Sequence, residues 1–269
     1  MIGRALGAIM GRELKRMLRQ RGRLVSAMVR PLIWLAVIGT GVQTLIEGFG
    51  AGSYQHFLIP GLLCMVLLFG ALLASLSLVY DKEAGVMRML IIAPFAHYWI
   101  VLARTASATL VGVIQAAMLM LILWPFGYLT APASLFLLFL GLMITSLTCA
   151  SLGMLIAVYS QTLDDFAVIM NFVIFPMFFL SGALYPIEQL PPILKLIALC
   201  NPFSYGVDLL KHALLEKVPP RFAADFSVLQ DIAVLAGFIL VTLLIACLRF
   251  SQANVLETLT RILSNPRRG

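Results

Sequence analysis

Long apolar runs separated by short polar stretches are the main pattern along this chain. No charged residue occurs between Glu47 and Asp81, and none occurs between Arg104 and Asp164. A helix needs about 20 consecutive apolar residues to cross a bilayer, and no run shows the two-residue alternation of a membrane β-strand. The runs therefore predict six transmembrane helices, at residues 24–46, 57–80, 100–123, 135–159, 166–184 and 232–248.

The composition agrees with this pattern and excludes several classes of protein. Of the 269 residues, 61% are hydrophobic and 12% are charged, whereas soluble domains have about 45–50% and about 25%. The mean hydropathy is +1.01, and three of the four cysteines lie inside predicted spans. A soluble enzyme, a disordered chain, a soluble nucleic-acid binder and a disulfide scaffold are therefore excluded, and the predicted fold class is an all-α membrane protein.

The net charge of +7 indicates orientation rather than nucleic-acid binding. Eight of the 19 lysines and arginines precede or enter the first predicted span, three follow the second, and four lie in the C-terminal tail at 249–269. These 15 fall on one side of a six-span topology, and basic residues collect on the cytoplasmic side. The sequence predicts a multi-pass plasma-membrane protein (inner membrane in bacteria) with both termini in the cytoplasm, lipid headgroups beside the cations and no nucleic acid as a partner.

Ionisable residues are almost absent from the predicted spans, and this absence bears on function. Ion-coupled carriers need such residues at membrane depth, and the chain has no G-x-x-x-x-G-K-[ST] loop for binding ATP itself. Its three histidines, His56, His97 and His212, fall in separate predicted connections, and no H-E-x-x-H zinc pair occurs. We therefore predict no catalytic residue, no metal ligand, and a transporter powered by a separate ATPase.

Two predicted cytoplasmic segments interrupt the regular pattern. Over residues 3–23, cations and apolar side chains occupy opposite faces of a helix. This predicts an amphipathic interfacial helix at 1–23, either a basic anchor or a partner contact, before a permease domain at 24–269. The connection 81–99 begins with acids and contains Pro94, which predicts a short helix across the ends of two spans. That helix is either a docking surface or an ordinary connection.

Two further segments concern the outer side and the path through the membrane. Residues 193–199 are too apolar for a free loop and too few for a crossing, so the connection 185–218 predicts a re-entrant or surface-lying helical hairpin. The hairpin is either a structural cap or a cargo contact. One face of the fifth span either lines a path for an amphiphile or packs against lipid or the protein core. Asp208, Lys211 and His212 form the polar side of the hairpin, and Asn171, Phe172, Phe175 and Phe179 form the face of the span.

Three short motifs occur in an order that resembles a known family. They are Arg30-Pro-Leu-Ile-Trp34, Glu83-Ala-Gly85 followed by Leu90 and Ala93-Pro94, and Asn201-Pro-Phe-Ser-Tyr205. They look like a common opening of the first span, the signature E-x-G-T-x-x-x-L-x-x-[AT]-P and an external N-P-x-x-Y motif. Together they resemble the ABC type-2 permeases, the membrane subunits of ATP-binding-cassette exporters for drugs, nodulation factors and polysaccharides, over nearly the whole chain. Val86 departs from the family threonine, and residues 95–97 lack the basic residue of many relatives.

The resemblance implies six transmembrane helices with an N-terminal amphipathic interfacial helix, a cytoplasmic coupling helix and external re-entrant helices, as in type V ABC exporters. It implies export by two permeases, a homodimer or a pair with a similar permease, with two nucleotide-binding ATPase subunits that hold ATP and Mg. This chain would hold no cofactor, and its substrate would be amphiphilic, lipid-linked or drug-like. A non-transporting membrane scaffold that docks an ATPase is the alternative, followed by an intramembrane enzyme.

Carried onto this sequence, the family motifs assign roles at both ends of the predicted spans. Glu83 and Arg88 would pair with the ATPase, Gly85 would allow its close approach, and Pro94 would end the coupling helix. The residues assigned to ATPase coupling are Asp81, Glu83, Gly85, Arg88 and Pro94, and those assigned to the external helix motif are Asn201, Pro202 and Tyr205.

Overall fold

The protein is an assembly of α-helices throughout the part of the chain that its computed structural model describes. The described residues are 7, 10–13, 15, 19, 21–42, 54–86, 98–129, 132, 134–215 and 223–264. Their helices are α1 (Arg21–Trp34, continued by a π-helical turn at Leu35–Gly39), α2 (Tyr54–Glu83), α3 (Tyr98–Leu123), α4 (Leu135–Tyr159), α5 (Leu163–Phe179), α6 (Pro192–Cys200), α7 (Pro202–Leu214) and α8 (Val228–Ser264). A 3₁₀ turn at Ile187–Gln189 lies between α5 and α6.

Four of these helices are long and apolar enough to cross a membrane. They are α2, α3, α4 and the part of α8 from Val228 to Ser251, and each contains the span predicted for it. Helices α6 and α7 meet at 83° and make a fifth candidate only if the bent pair counts as one crossing. The predicted count of six is therefore not confirmed within the described residues, where four or five spans are found.

The two remaining predicted spans form short apolar helices within the described residues. The first gives an apolar helix at Ala27–Val42, which contains Pro31 and the π-helical turn, and residues 43–46 of this predicted span lie outside the described residues. The fifth gives the 17 residues of α5, which has Pro176 near its end. The chain then turns through Gly182, whose φ of +74° a residue with a side chain rarely adopts. An apolar run counts residues that avoid water, but at the end of α5 a proline and a left-handed glycine decide where the helix stops.

Helix α2 is the centre of the bundle. It packs most extensively against α4 and α3, and also contacts α1, α5 and α7. From Phe57 to Leu68 every residue of α2 is buried, so this apolar stretch is surrounded by protein rather than by lipid. Helix α8 packs instead against α3, α4 and α7, and the exposed apolar side chains lie mainly on α5, α6 and α8.

Helix α7 penetrates the bundle because a small residue lets it approach α4 closely. A Cβ atom built on Gly206 would lie 2.7 Å from Cγ2 of Thr145, and the Thr145 hydroxyl donates to the Gly206 carbonyl at 3.5 Å. Small residues permit such close approach of helices in membranes. All of α7 except Pro202 and His212 is buried, so this half of the predicted hairpin is part of the core and not a surface-lying helix.

We expect the substitution Gly206→Ala to destabilise the protein by about 1–3 kcal/mol, because the added methyl group overlaps Thr145 in a packed interface. The measurement is the thermal unfolding temperature of the detergent-purified protein. Gly237→Ala is the matched control, since no atom lies within 4 Å of a Cβ at that position of α8. Equal unfolding temperatures for the two variants would contradict the close α7–α4 contact.

Candidate functional site

Three consecutive charged residues at the end of α2 each contact a different part of the protein. Asp81, Lys82 and Glu83 occupy the last turn of this helix. Successive side chains on a helix point about 100° apart, so three neighbours reach in three directions. We call the group formed by these residues and their charged or hydroxyl partners the charged junction; it consists of Arg12, Glu13, Ser77, Asp81, Lys82, Glu83 and Arg104.

Asp81 forms the buried ion pairs of the charged junction. Its Oδ2 atom accepts hydrogen bonds from Nη2 of Arg104 in α3 and, at 2.7 Å, from Nη2 of Arg12 in the N-terminal segment. Nη1 of Arg104 donates to the Ser77 hydroxyl at 3.0 Å, one turn earlier on α2. Asp81 is 7% exposed and Arg104 only 2%. Each arginine thus neutralises a charge that would be costly to bury alone.

Glu13 supplies the second carboxylate of the charged junction. Its Oε1 atom lies 3.3 Å from Nη2 of Arg12 and 3.7 Å from Nη1 of Arg104, so two arginines face two carboxylates. Burial lowers the pKa of Arg12, but its hydrogen bond to Asp81 and the charge of that carboxylate outweigh burial and raise this pKa above its ordinary value. Arg12 is therefore cationic at every physiological pH, and it ties the N-terminal segment to α2.

Lys82 binds the end of α4. Its Nζ atom donates to the carbonyl oxygens of Ala157 and Val158 at 2.8 Å and of Ser160 at 3.0 Å. The last carbonyls of a helix lack partners within the helix and carry partial negative charge. An ammonium group with three donors satisfies three of them, so Lys82 fixes the C-terminal end of α4 to the end of α2.

Glu83 binds the start of the next helix. Its Oε1 atom accepts a hydrogen bond from the backbone N–H of Leu163 at 2.8 Å. The same helix start carries a capping box, in which the Thr162 hydroxyl accepts from the Asp165 N–H and the Asp165 carboxylate accepts from the Thr162 N–H, both at 3.1 Å. Lys82 and Glu83 therefore hold the two helix ends on either side of the turn between α4 and α5.

Gly85 ends α2 and begins the predicted coupling segment. Its φ of +71° is left-handed, and its N–H donates to the Lys82 carbonyl at 3.1 Å, as glycine commonly does just after a helix. No described atom lies within 4 Å of a Cβ at this position, so the backbone angle is by itself a reason for glycine here. The other two predicted coupling residues, Arg88 and Pro94, lie outside the described residues.

The sequence pattern missed the partners of Asp81. It placed Arg104 in a connection and Arg12 among cations facing lipid headgroups, but Arg104 is buried in α3 and Arg12 contacts the end of α2. One signal was present: Glu13 is a charged residue on the otherwise apolar face of residues 3–23. Its 8% exposure and its two arginine neighbours explain that exception.

The predicted path-lining residues share an exposed face of α5. Asn171 is exposed, and Phe172, Phe175 and Phe179 are 82%, 53% and 38% exposed. The rings of Phe175 and Phe179 stack with their centroids 6.4 Å apart. The opposite face, with Phe166, Ile174 and Phe178, is buried. Helix α5 therefore presents a continuous aromatic strip with one amide on it.

The external motif forms the bend between α6 and α7. Asn201 starts α7: its Oδ1 atom accepts from the Phe203 N–H at 3.1 Å, and its Nδ2 atom donates to the Met177 carbonyl of α5 at 2.7 Å. Pro202 occupies the first helical position, which suits its fixed φ and missing N–H. The Tyr205 hydroxyl donates to the Leu199 carbonyl of α6 at 2.8 Å. All three residues thus shape the bend, and Asn201 connects it to α5.

The polar side of α7 lies inside the protein. Asp208 and Lys211 are 1% and 2% exposed, so the predicted polar side of this helix does not face solvent. Its polar side meets the segment before α8, where Lys211 pairs with Asp225 at 3.1 Å. The exposed part of the hairpin is instead the apolar helix α6, where Ile193 and Leu196 are 76% and 63% exposed.

Comparison with known proteins agrees with the helical architecture and with the motifs. A family model described as ABC-2 type transporter matches residues 4–215, which include the charged junction and the helices α6 and α7. This chain belongs to the ABC-2 type transporter family. It is a membrane permease, a transport subunit without an ATPase domain, and membership implies an ATP-binding partner subunit.

Three relatives of this ABC-2 permease have between 26% and 30% of their aligned residues in common with it. Nodulation protein J of Rhizobium leguminosarum bv. trifolii is 27% identical over 71% of this chain and 74% of its own length. The putative transport permease ycf38 of Pyropia yezoensis is 30% identical over 75% and 70%. The probable multidrug ABC transporter permease YbhR of Escherichia coli is 26% identical over 61% of this chain and 45% of its own length.

In this ABC-2 permease we expect Asp81→Asn to cost about 3–5 kcal/mol of stability, because the buried Arg104 guanidinium loses its hydrogen-bonded carboxylate and the two arginines then share Glu13 alone. Thermal unfolding in detergent measures the effect. Asp164→Asn, at an exposed position in the first turn of α5, is the control and should cost less than about 1 kcal/mol.

A double variant tests whether charge compensation is the cause. Asp81→Leu combined with Arg104→Met removes both buried charges, and we expect it to be more stable than Asp81→Leu alone. If the two changes simply add, the ion pair is not what holds α2 against α3.

Proposed function

We propose that this chain is the pathway-forming permease of an ATP-driven exporter for an amphiphilic, lipid-linked or drug-like substrate. Two copies of it, or one copy and a similar permease, would assemble with two nucleotide-binding ATPase subunits that hold the ATP and Mg. The names of two relatives, a nodulation protein and a probable multidrug permease, are compatible with cargo of this chemistry. Export, rather than import, rests on the resemblance of the motifs.

The charged junction is the observation that carries this proposal. The coupling segment 81–94 starts where α2 ends, and Asp81, Lys82 and Glu83 bind α3, the end of α4, the start of α5 and the N-terminal segment. A displacement of residues 84–94 by the ATPase would therefore act on several helices together. In this proposal Asp81 is an internal anchor, and Glu83 passes the movement to α5 through its hydrogen bond to Leu163.

The aromatic strip of α5 is our candidate for the substrate path. Glu83 binds the first residue of this helix, so the helix that would receive the movement also carries Asn171, Phe172 and Phe175 on its exposed face. Aromatic rings with one polar group suit a ligand that is partly apolar. Such a face, brought against the same face of a second permease, would enclose a path for an amphiphile.

The proposed topology has six spans with both termini in the cytoplasm. Helix α5 and the helix at Ala27–Val42 would be the two short spans, which a membrane accommodates by local thinning. Arg12 contacts Asp81 at the end of the bundle where Arg249 lies 5.4 Å from the centre of the Tyr159 ring. The N-terminal segment and the C-terminal part of α8 therefore lie at the same end of the bundle as the charged junction. This supports a topology in which that end and both termini face the cytoplasm.

The test is reconstitution of the permease with its ATPase in vesicles. We expect substrate-stimulated ATP hydrolysis and ATP-dependent movement of substrate across the bilayer. A scaffold that only docks the ATPase would bind it without either effect. ATP hydrolysis that no amphiphile stimulates, together with no transport in vesicles shown to contain the complex, would contradict the proposal.

Two substitutions of Glu83 distinguish a role inside the permease, the cap on α5, from direct pairing with the ATPase. Glu83→Gln keeps an acceptor for the Leu163 N–H, whereas Glu83→Ala removes a helix cap of about 1 kcal/mol. We expect transport per ATP hydrolysed to be retained in the first variant and reduced in the second, with ATPase binding unchanged in both. Glu188→Gln, at an exposed position near the hairpin, is the control. An equal loss of ATPase binding in both variants would show instead that the Glu83 charge pairs with the ATPase.

The path on α5 has its own prediction. Phe172→Ala removes the most exposed ring of the strip without opening a cavity in the core, so we expect normal expression and basal ATP hydrolysis but weaker stimulation by substrate. The measurement is the substrate concentration giving half-maximal stimulation. Phe136→Ala removes a ring of α4 that is 74% exposed and is the matched control. An unchanged value in the Phe172 variant would exclude this strip from the path.

A further inference from the structure

A second group of charged residues lies at the opposite end of the bundle from the charged junction. Helix α7 contributes Asp208 and, one turn later, Lys211 and His212. The segment before α8 contributes Asp225, and the first turn of α8 contributes Asp231. Within the described residues, three carboxylates therefore face one ammonium group and one imidazole. With the imidazole neutral, this part of the protein has an excess of negative charge.

Most of these groups have clear internal partners. The two Asp208 oxygens accept the backbone N–H groups of Asp225 at 2.7 Å and Phe226 at 2.9 Å. Lys211 donates to Asp225 at 3.1 Å, and its Nζ atom lies 5.3 Å from the centre of the Phe57 ring. These contacts fasten the segment before α8 onto α7. They provide partners for the charged groups of Asp208, Lys211 and Asp225, but one carboxylate of the group remains without a hydrogen-bond partner.

Asp231 is that carboxylate. It is 0% exposed, and neither of its oxygens has a hydrogen-bond partner. Burying a charge without a partner costs several kcal/mol of stability. Binding of a cation or a proton to this carboxylate would remove that cost. Its Oδ2 atom lies 3.9 Å from Nε2 of His212, and that nitrogen lies 3.7 Å from Oδ2 of Asp208. The unpaired carboxylate thus points at two side chains that are themselves metal ligands in proteins.

We propose that Asp208, His212 and Asp231 bind a divalent transition-metal cation of the zinc class. One ligand atom from each residue lies within 4.8 Å of the other two. Tetrahedral zinc with bonds of about 2.0 Å holds its ligand atoms about 3.3 Å apart, so the ligand atoms need to approach one another by about 0.5 Å on the histidine side and by at most about 1.5 Å between the two carboxylates. The His212 side chain is 26% exposed, which gives an ion access from the surface.

The ligand chemistry favours zinc over magnesium or calcium. An imidazole nitrogen suits zinc and its neighbours in the first transition row, whereas magnesium and calcium prefer oxygen ligands alone. Without a metal, Nε2 of His212 donates to the Phe226 carbonyl oxygen at 2.9 Å, and this oxygen becomes available as a fourth ligand when the proton leaves Nε2. Binding requires the His212 tautomer with its proton on Nδ1, because Nε2 must present its lone pair to the ion.

The metal would join two helices that the chain connects only through residues 215–227. Asp208 and His212 lie four residues apart on one face of α7, and Asp231 lies in the first turn of α8. An ion bound to both would hold the penetrating half of the external hairpin against the last long helix. This role is structural, and it does not depend on the direction or the cargo of transport.

The experiment measures zinc binding to the purified full-length permease. The protein carries an affinity tag without histidine and the substitution Cys200→Ser, because Cys200 is the exposed cysteine of the described residues. After chelator treatment, isothermal titration calorimetry with Zn²⁺ gives the stoichiometry, and Mg²⁺ serves as the comparison ion. We expect one Zn²⁺ per chain, and a rise of about 5 °C in unfolding temperature at a hundredfold excess over the Kd.

Two ligand variants and one control identify the residues. Asp231→Asn has nearly the same shape as the native side chain, and His212→Gln removes the nitrogen ligand; we expect each to weaken zinc binding at least tenfold and to abolish the thermal shift. His56→Gln, in the first turn of α2, should bind zinc as the parent protein does. In metal-free protein, Asp231→Asn should unfold at a higher temperature than the parent, since it removes an unpaired buried charge.

Three results would overturn the proposal. The first is the absence of zinc binding and of any zinc-dependent thermal shift in the parent protein. The second is zinc binding that Asp231→Asn and His212→Gln leave unchanged, which would place the ion elsewhere. The third is an unfolding temperature that responds to pH but not to zinc, which would assign a proton to Asp231. Since all of these are measured without the ATPase, they leave the proposed transport function untouched.

Discussion

The buried ion pair between Asp81 and Arg104 is the interaction on which the rest of this permease depends. Burying either charge alone would cost several kcal/mol, whereas the pair with Arg12, Ser77 and Glu13 compensates both. A slide of α2 along α3 would separate the partners, so the pair fixes the relative height of the two helices. Lys82 and Glu83, the next two residues of the same turn, bring the ends of α4 and α5 to that height.

Strong polar interactions collect at the two ends of the helix bundle because the apolar middle cannot satisfy them. Each end uses charged side chains to bind backbone groups: Lys82 holds carbonyl groups of α4, and Asp208 holds N–H groups of the segment before α8. Between them, α2 is apolar and buried. The helices are therefore joined by polar contacts at both ends of the bundle. A mechanical input at the charged junction and a structural cation near α7 would act at opposite ends of the same central helices.

Particular motif residues show how much local sequence predicts. Asn201, Pro202 and Tyr205 were predicted as an external helix motif, and the structure places them at a bend of 83° with hydrogen bonds to α5 and α6. Gly85 was assigned to close approach of a partner, yet its left-handed backbone is a sufficient local reason for glycine. Glu83 was assigned to a partner and caps a neighbouring helix. A motif identifies the position but does not reveal which atom the side chain contacts.

The sequence by itself determined that this is a helical membrane protein, where its long helices lie, and that it belongs with ATP-driven permeases, because apolar length and short motifs are local properties. Only the tertiary structure decided which charges meet. Asp81 and Arg104 are 23 residues apart, Lys82 and Ser160 are 78 apart, and Asp231 meets His212 from another helix. No periodicity encodes such distances. The packing of helices around α2 brings these groups together, and the cost of leaving a buried charge unpaired makes that arrangement specific.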